Sequence, residues 1–216
     1  MLEDLFISLL TKCTAPRDES FDEKSILNPS SPYSASKAAS DLFAIAYNKT
    51  YGLPVSILRR TNNFGQFPEK FIPKCIIRAL LDKQVPVYGD GLQVRDRIYV
   101  KDFCEAINLV VDHGSSGSIY NVSAGNEVTN MEIVKKILAL LRKPTELIQF
   151  VEDRPGHDVR YSLNSQVIRQ RLGWTPHFTL DEALQLTTGW YVSNKDWWEP
   201  IVDDKTISPT PWKEKW

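Results

Sequence analysis

The segment SPYSASKAASD places a tyrosine and a lysine, Tyr33 and Lys37, four residues apart near the start of a predicted helix. Residues i and i+4 of an α-helix project from one face, so the phenol and the ammonium can share one cleft. A nearby ammonium favours the phenolate and lowers the tyrosine pKa, which makes the phenol a usable base near neutral pH. The neighbouring residues are small, so a flat ligand can approach closely. The pair is a candidate for proton transfer, although YxxxK also arises by chance on surface helices.

Three further polar motifs have side chains suited to a ligand. Asn62 and Asn63 each offer an amide donor and an acceptor, although TNN is also typical of a polar turn. Arg95 stands next to Asp96, and taken alone the two side chains predict a plain ion pair. The segment DRPGH is a loop or turn; its histidine, His157, has no second His or Cys at ligand spacing, so no metal site is predicted.

Composition narrows the class of protein. The chain has 216 residues, 42% of them hydrophobic and 25% charged, with a formal net charge of -1. This charge gives no electrostatic case for binding nucleic acid or an anionic membrane. No apolar run approaches the roughly 18 residues of a membrane span. Three cysteines without CxxC spacing, Cys13, Cys75 and Cys104, indicate reduced thiols in a cytoplasmic protein rather than disulfides or a zinc site.

The elements that must position these residues alternate between helices and short strands. Residues 14–32 are polar and predict a loop, followed by a helix over 33–51 with Ser31 at its cap and Gly52 at its end. Further segments predict a buried strand in PVSILRR, a helix over 72–81, two strands around the turn GDG, and helices in KDFCEAINLVVDHG, TNMEIVKKILALLRK and TLDEALQLTTGWYVSNK. The apolar stripe of the first helix contains Leu42, Phe43, Ala46 and Tyr47.

Two of the predicted helices open with capping boxes, Thr129 with Glu132 and Thr179 with Glu182. The alternation of helices and strands predicts an α/β fold. The glycine-rich turn with which an α/β enzyme holds a dinucleotide, GxGxxG or GxxGxxG, occurs nowhere in the sequence. We therefore expect the C-terminal part of a Rossmann-like enzyme, without its N-terminal dinucleotide-binding half.

The motifs together resemble the extended short-chain dehydrogenases, and within them the nucleoside-diphosphate-sugar 4,6-dehydratases that act on dTDP-glucose. The resemblance rests on the active-site helix SPYSASKAASD and covers residues 15–195 in register. The other segments that carry it are RRTNNFGQFPEKFIPK, PVYGDGLQVRDRIYVKDFCEA, YNVSAGNEVTNMEIV and VEDRPGHDVRYSLNSQVI. It implies NAD as the cofactor, a nucleoside-diphosphate sugar as the substrate, and a homodimer for the full-length family.

The resemblance also implies roles for individual residues. Tyr33 corresponds to the base that takes the proton of the sugar 4-hydroxyl, and Lys37 to the residue that grips the nicotinamide ribose and keeps that tyrosine acidic. Asn63 and Asn62 correspond to a cofactor and a substrate contact. Arg95 corresponds to the diphosphate ligand. The other implied substrate contacts are Lys70, Pro86, Val87, Tyr88 and Asn130, together with the nucleotide-closing loop Asp153, Arg154, Pro155, Gly156 and His157.

The N-terminal residues depart from the family pattern. The family carries STDEVYG before the YxxxK helix, and its Asp and Glu expel water across C5 and C6; this chain reads FISLLTKCTAPRDESF there. Codons for Ser-Thr-Asp-Glu-Val-Tyr, read one base later, spell residues 9–14 of this chain. We therefore interpret residues 1–14 as an out-of-frame translation that rejoins the frame near Ala15; a diverged N-terminus is the alternative. The segment FGQFPEK is also shorter than in the family.

These observations predict a chain in four parts: a remnant and loop over 1–30, the active-site helix and strand over 31–65, mostly a substrate lobe over 66–195, and an aromatic, proline-rich tail over 196–216 that packs extended on the body or a partner. The resemblance implies that the encoded function is that of an NAD-dependent 4,6-dehydratase, a lyase. A sugar-nucleotide epimerase or decarboxylase and a non-catalytic nucleotide-sugar-binding remnant are the alternatives. Because the dinucleotide motif is absent, the chain as it stands is expected to be inactive.

Overall fold

A computed structural model describes residues 20–29, 31–66, 71–154, 156, 157 and 159–213. The predicted α/β class is confirmed by the order of its elements. The helices are α1 Pro32–Tyr51, α2 Phe71–Leu80, α3 Val100–His113, α4 Asn130–Leu140, α5 Gln166–Leu172, α6 Leu180–Ser193 and α7 Lys195–Trp198. The strands are β1 Ile57–Arg60, β2 Asn62–Phe64, β3 Val85–Tyr88, β4 Val94–Tyr99, β5 Ile119–Val122, β6 Glu127–Thr129, β7 Ile148–Val151 and β8 Arg160–Tyr161.

Helix α1 begins and ends where the sequence predicts. The Ser31 hydroxyl accepts a hydrogen bond from the backbone N–H of Ser34, and Gly52 ends the helix at φ +66°. The buried face of α1 differs from the apolar stripe. It consists of Ser34, Ala38, Asp41 and Ala44. The stripe residues Leu42, Phe43 and Tyr47 are 57%, 66% and 52% exposed, and Ala46 is also exposed, so α1 packs through its small side chains instead.

Both predicted capping boxes form. Thr129 accepts from the backbone N–H of Glu132, whose carboxylate in turn accepts from the Thr129 backbone, and Thr179 and Glu182 repeat the arrangement at α6. Each box satisfies two helix donors that would otherwise lack partners. The hydrogen bonds lower the pKa of the Glu132 and Glu182 carboxyls. The starts of α4 and α6 are therefore determined locally.

Within the described residues, the strands join into three sheets. β1 pairs with β5 and β3 with β7, both in parallel, while β2, β4 and β6 lie in that order in a third sheet, with β8 also paired to β4. The two strands predicted around the GDG turn are present, but they belong to different sheets. The turn itself requires glycine: Gly91 has φ +75°, and a Cβ there would lie 2.6 Å from Val87 Cγ1.

The chain divides into two compact units. Unit 1 comprises Met1–Asn63, Arg95–Glu127 and Arg160–His177, and unit 2 comprises Phe64–Val94, Val128–Val159 and Phe178–Trp216. The units interleave along the sequence, whereas the predicted parts are consecutive. The core of unit 1 is formed by Leu58, Ile98, Phe103, Ala106, Val110, Tyr120, Val122, Ile168 and Trp174. In unit 2, α2, α4 and α6 pack on one another and bury Ile76, Ile77, Ile133, Ile137 and Leu184.

The tail packs against the body of unit 2, but as short helical turns rather than as an extended segment. It forms α7 and the single turns Glu199–Ile201 and Pro211–Lys213. Trp198 is 1% exposed and donates its indole N–H to the Tyr191 carbonyl at 2.7 Å. In the part of the chain that the structure describes, no helix combines the length and hydropathy needed to cross a membrane.

Candidate active site and nucleotide-binding residues

The tyrosine and lysine of unit 1 lie on one side of α1, as their spacing predicts. Lys37 Nζ is 5.7 Å from the centroid of the Tyr33 ring. The Tyr33 side chain is 53% exposed, so its hydroxyl is accessible to a ligand. The helix start beneath it is held by the Ser31 and Ser34 hydroxyls, 2.8 Å apart. A phenol that a substrate can reach, on a capped first turn, suits proton transfer.

A buried ion pair fixes α1 to the strand behind it. Arg59 of β1 donates from Nε to Asp41 Oδ2 at 2.9 Å, and both side chains are less than 5% exposed. Arg59 also donates to the Glu23 carbonyl at 3.2 Å, and the Glu23 carboxylate accepts from the Asn121 backbone at 2.9 Å. Burial raises the pKa of Glu23, and the Asn121 hydrogen bond opposes that shift. The helix that carries Tyr33 and Lys37 is thus positioned by charged contacts as well as by packing.

The two asparagines lie in β2. Successive strand residues point to opposite faces, so the side chains of Asn62 and Asn63 project to opposite faces of β2. The side-chain oxygen of Asn63 is buried and has no hydrogen-bond donor among the described residues. A buried acceptor in this state is satisfied only by a further donor, such as one on a ligand. This oxygen fits a cofactor contact at Asn63.

Arg95 lies in β4 and is 4% exposed. Its neighbour Asp96 projects to the opposite face of the strand and accepts hydrogen bonds from the Ser123 hydroxyl and from the backbone N–H groups of Gly125 and Asn126, the latter two at 3.2 and 3.1 Å. Burial raises the pKa of Asp96, and these donors oppose that shift. The Asp96 carboxylate is therefore used by the 123–126 turn, and the ligand role of Arg95 stays a prediction.

In unit 2, three separated motifs meet at one side chain, Gln93. Its Nε2 donates to the Tyr88 carbonyl at 3.2 Å and to Asp153 Oδ2 at 3.1 Å, and its Oε1 accepts from Asn130 Nδ2 at 3.3 Å. Gln93 is 8% exposed. Sequence reasoning missed this residue, although it stands in the QVRD motif beside Arg95, because a glutamine after a turn carries no local signal of burial.

The DRPGH loop is arranged around the Asp153 carboxylate. Asp153 Oδ1 accepts from the Arg154 backbone at 2.8 Å and lies 2.6 Å from His157 Nδ1. The His157 side chain is only 7% exposed. A Cβ on Gly89 would lie 3.1 Å from Asp153 Oδ2, so the loop also depends on a glycine in the neighbouring turn. The structure therefore brings together Tyr88, Asn130, Asp153, Arg154 and His157, and Gly156 lies in the same loop with φ +65°.

Tyr88 stands at the end of β3 between two aromatic side chains. Its ring is 4.7 Å from the Trp212 ring at 88° and 6.3 Å from the His157 ring at 67°. Burial raises the pKa of Tyr88 to about 12, so the phenol remains a neutral hydrogen-bond donor. Pro86 and Val87 are buried in the strand, so Tyr88 is the member of this predicted segment that is partly accessible.

Two predicted site residues, Lys70 and Pro155, lie outside the described residues, as do residues 1–14 with the proposed change of frame. The described part of the chain also contains a polar group that sequence reasoning missed, formed by Asp102, Glu105 and His177. Asp102 accepts from the His177 backbone at 2.8 Å, and Glu105 Oε2 lies 2.5 Å from His177 Nδ1. These contacts hold the segment after α5 to α3.

Comparison with known proteins decides the family. The family model described as GDP-mannose 4,6 dehydratase matches residues 15–187. The chain belongs to this family. Among curated relatives, dTDP-glucose 4,6-dehydratase of Neisseria meningitidis serogroup B is 46% identical over 199 residues, which are 86% of this chain and 56% of the relative. The enzyme of the same description from Escherichia coli is 43% identical over 196 residues, 85% of this chain and 54% of the relative.

Solved structures of the same family agree with this fold. The dTDP-glucose 4,6-dehydratase of Bacillus anthracis in complex with NAD has a TM-score of 0.87 and 42% identity, covering 92% of this chain and 64% of that one. The enzyme from Streptomyces venezuelae with NAD and TYD bound has a TM-score of 0.88 and 41% identity, covering 92% and 62%. UDP-glucose 4-epimerase from Thermotoga maritima with UDP-glucose scores 0.84 at 25% identity, covering 89% and 64%.

The comparisons confirm the resemblance inferred from the motifs. They also show that the chain spans about half the length of the curated relatives it matches. The roles of individual site residues stay predictions, which the geometry above supports to different degrees.

Proposed function

We propose that this chain contributes the oxidation pair and the nucleotide-sugar-binding residues of a dTDP-glucose 4,6-dehydratase. The observation that carries the proposal is the meeting of Tyr88, Asn130 and Asp153 on Gln93, because it joins three motifs of the resemblance in one hydrogen-bonded cluster. Identities of 41–42% to structures of such dehydratases, against 25% to the UDP-glucose 4-epimerase, favour the same substrate class.

In the proposed reaction, the Tyr33 phenolate receives the proton of the sugar 4-hydroxyl and becomes the neutral phenol, and the positive charge of Lys37 stabilises the phenolate before that transfer. NAD, when bound, would supply the hydride chemistry, as the acceptor of hydride from C4 and the donor of hydride to C6. Lys37 and Asn63 would hold the cofactor, and the buried Asn63 oxygen offers an acceptor for it. Asn62, on the other face of β2, would contact the sugar.

The nucleotide end of the substrate needs a cation for the diphosphate and a wall for the base. Arg95 would supply a planar guanidinium that can form bidentate hydrogen bonds to phosphate oxygens, and Lys70 would add a second positive charge. Tyr88, with Pro86 and Val87 behind it, forms the wall. Asn130 and the loop Asp153, Arg154, Pro155, Gly156 and His157 would close over the nucleotide.

We also propose a cytoplasmic homodimer for the full-length protein. Cys75 and Cys104 are free thiols, which is consistent with a reducing compartment. Leu42, Phe43 and Tyr47 project from α1 and are more than half exposed. An exposed apolar helix face of this kind is typical of a surface that packs on another helix.

Calorimetric titration of the purified chain tests the proposal. We expect dTDP and dTDP-glucose to bind, and UDP to bind more weakly, because the wall and loop contact the base. Free glucose is the control and should give no heat. Absence of heat with dTDP and with dTDP-glucose would contradict the proposal, and equal binding of all nucleotides would contradict its base specificity. A second assay distinguishes the dehydratase from an epimerase. This chain is joined to the N-terminal part of a relative and assayed for a 4-keto-6-deoxy product, because an epimerase would yield an epimer instead.

A further inference from the structure

The last described residues of unit 2, 207–213, form a segment that we name the C-terminal strap. Two cationic side chains of α2 hold its first residues: Lys74 donates to the Ser208 carbonyl at 3.0 Å and Arg78 to the Ile207 carbonyl at 2.7 Å. Lys74 and Arg78 are 8% and 9% exposed. A buried cation is costly unless it has hydrogen-bond partners, so these contacts hold the first residues of the strap against α2.

The far end of the strap is attached beside the DRPGH loop. Lys213 forms an ion pair with Glu152, which directly precedes Asp153 of the loop. The single turn Pro211–Lys213 places Trp212 between the two attachments. There its ring meets the Tyr88 ring edge to face, at 4.7 Å and 88°. The strap therefore ends on the tyrosine that is expected to form the wall of the nucleotide pocket.

The backbone of Tyr88 is already fixed, since it pairs with Val151 of β7 and its carbonyl accepts from Gln93. A fixed backbone does not fix the orientation of the ring. The side-chain torsions of a residue at a strand end can adopt several staggered rotamers unless neighbouring side chains exclude some of them. The Trp212 ring lies 4.7 Å from the Tyr88 ring and the His157 ring lies 6.3 Å from it, between centroids. An edge-to-face contact is also the arrangement that aromatic quadrupoles favour.

We propose that Trp212 is a positioning residue for nucleotide binding: it holds the Tyr88 ring in the orientation that receives the base. The inference rests on the proposed function for its ligand, and on the strap contacts for its geometry. Trp212 acts through Tyr88. Its indole N–H has no acceptor among the described residues, so a phenyl ring at this position keeps the packing without breaking a described hydrogen bond.

The test uses the full chain with Trp212→Ala, Trp212→Phe and a control, Trp197→Ala, which removes a half-exposed tryptophan of the same tail that packs on Trp190. Calorimetry gives the Kd of dTDP and, as a probe of the phosphate contacts alone, of pyrophosphate. We expect Trp212→Ala to weaken dTDP roughly five- to tenfold and to leave pyrophosphate within about twofold. Trp212→Phe and Trp197→Ala should bind dTDP as the parent does.

An unchanged dTDP affinity in Trp212→Ala would overturn the proposal. So would an equal loss in Trp212→Phe, because the indole N–H rather than the ring contact would then be responsible. Nitration of Tyr88 by tetranitromethane, followed by peptide mass, adds a measurement that needs no ligand. Nitration should rise in Trp212→Ala but not in Trp212→Phe, and no rise would overturn the strap contact. If the parent fails to bind dTDP while nitration behaves as expected, the proposed function fails and the positioning of Tyr88 stands.

Discussion

Two tyrosines, one in each unit, occupy opposite surroundings. Tyr33 of unit 1 is 53% exposed on the first turn of α1, with the Lys37 ammonium 5.7 Å from its ring. Tyr88 of unit 2 lies between Trp212 and His157, and burial raises its pKa to about 12. A phenol that exchanges a proton must be reachable by the substrate, whereas a phenol that forms a wall must be held still. The same side chain thus suits two tasks through its surroundings.

The helices of the two units also differ in how much of their apolar surface is buried. In unit 2, α2, α4 and α6 pack on one another and bury apolar residues such as Ile76, Ile137 and Leu184. In unit 1, α1 buries small and polar residues and leaves Leu42, Phe43 and Tyr47 exposed. The residues of unit 2 that we propose to bind the nucleotide are therefore supported by contacts within this chain, while α1, which carries the proposed oxidation pair, has an exposed apolar face. We expect binding and turnover to be separable in this protein.

The largest expected effect is the absence of turnover in the chain as it stands. The sequence contains no GxGxxG or GxxGxxG turn, and the two proposed cofactor contacts, Lys37 and Asn63, are too few to hold NAD tightly on their own. Calorimetry with NAD and an assay for the 4-keto product by its alkaline absorbance measure this. Stoichiometric NAD binding at micromolar affinity, or any turnover above background, would contradict this prediction and show that nucleotide binding and turnover are not separable in this chain.

The next effect concerns Tyr33. In a chimera that joins residues 15–216 to the N-terminal part of the Neisseria meningitidis relative, Tyr33→Phe should lower kcat by about 10²–10⁴-fold, because it removes the base and keeps the ring. The affinity for dTDP should not change. Tyr47→Phe, also on α1 and 52% exposed, is the matched control and should retain activity. Near-normal turnover in Tyr33→Phe would mean that a group other than Tyr33 accepts the proton of the sugar 4-hydroxyl.

Arg95→Ala should weaken dTDP binding by about 2–4 kcal/mol, because it removes a charge-assisted contact from a desolvated diphosphate. The variant should bind free thymidine as the parent does, since thymidine has no phosphate. Calorimetry of both ligands measures the difference. Arg171→Ala, which removes an exposed arginine of α5, is the control. An equal, small loss for both ligands would place Arg95 outside the nucleotide contacts.

The smallest effect is on stability at alkaline pH. The Tyr88 pKa of about 12 lies above the value of about 10 for an unfolded tyrosine, so between these values the unfolded chain loses its proton first. The free energy of unfolding should fall as pH rises through this window, by at most about 3 kcal/mol from Tyr88 over the two pKa units. Urea unfolding at pH 9, 10 and 11 measures the slope, which Tyr88→Phe should reduce. Burial also raises the pKa of Tyr191, which adds to the same slope. The contribution of Tyr88 is therefore the difference in slope between the parent chain and Tyr88→Phe. An identical slope would mean that Tyr88 is not buried in solution.

Local contacts are what the sequence by itself determined. The cap at Ser31, the end of α1 at Gly52 and both capping boxes were predicted correctly, because each depends on residues within a few positions of one another. The α/β class and the family also followed from the sequence, because the order of elements and several separate motifs agree with one another. The side of α1 shared by Tyr33 and Lys37 follows from helical spacing alone.

Long-range contacts were decided only by the tertiary structure. Gln93 and Asp153 are 60 residues apart, and Tyr88 meets Trp212 across a still longer stretch, so no local pattern marks either pair. The strands on the two sides of the GDG turn find different partners, β7 for one and β2 and β6 for the other. The buried face of α1 was misjudged for the same reason: side-chain hydropathy favours burying Leu42 and Phe43, but the strand behind α1 carries Arg59, whose guanidinium requires Asp41 on the facing side of the helix.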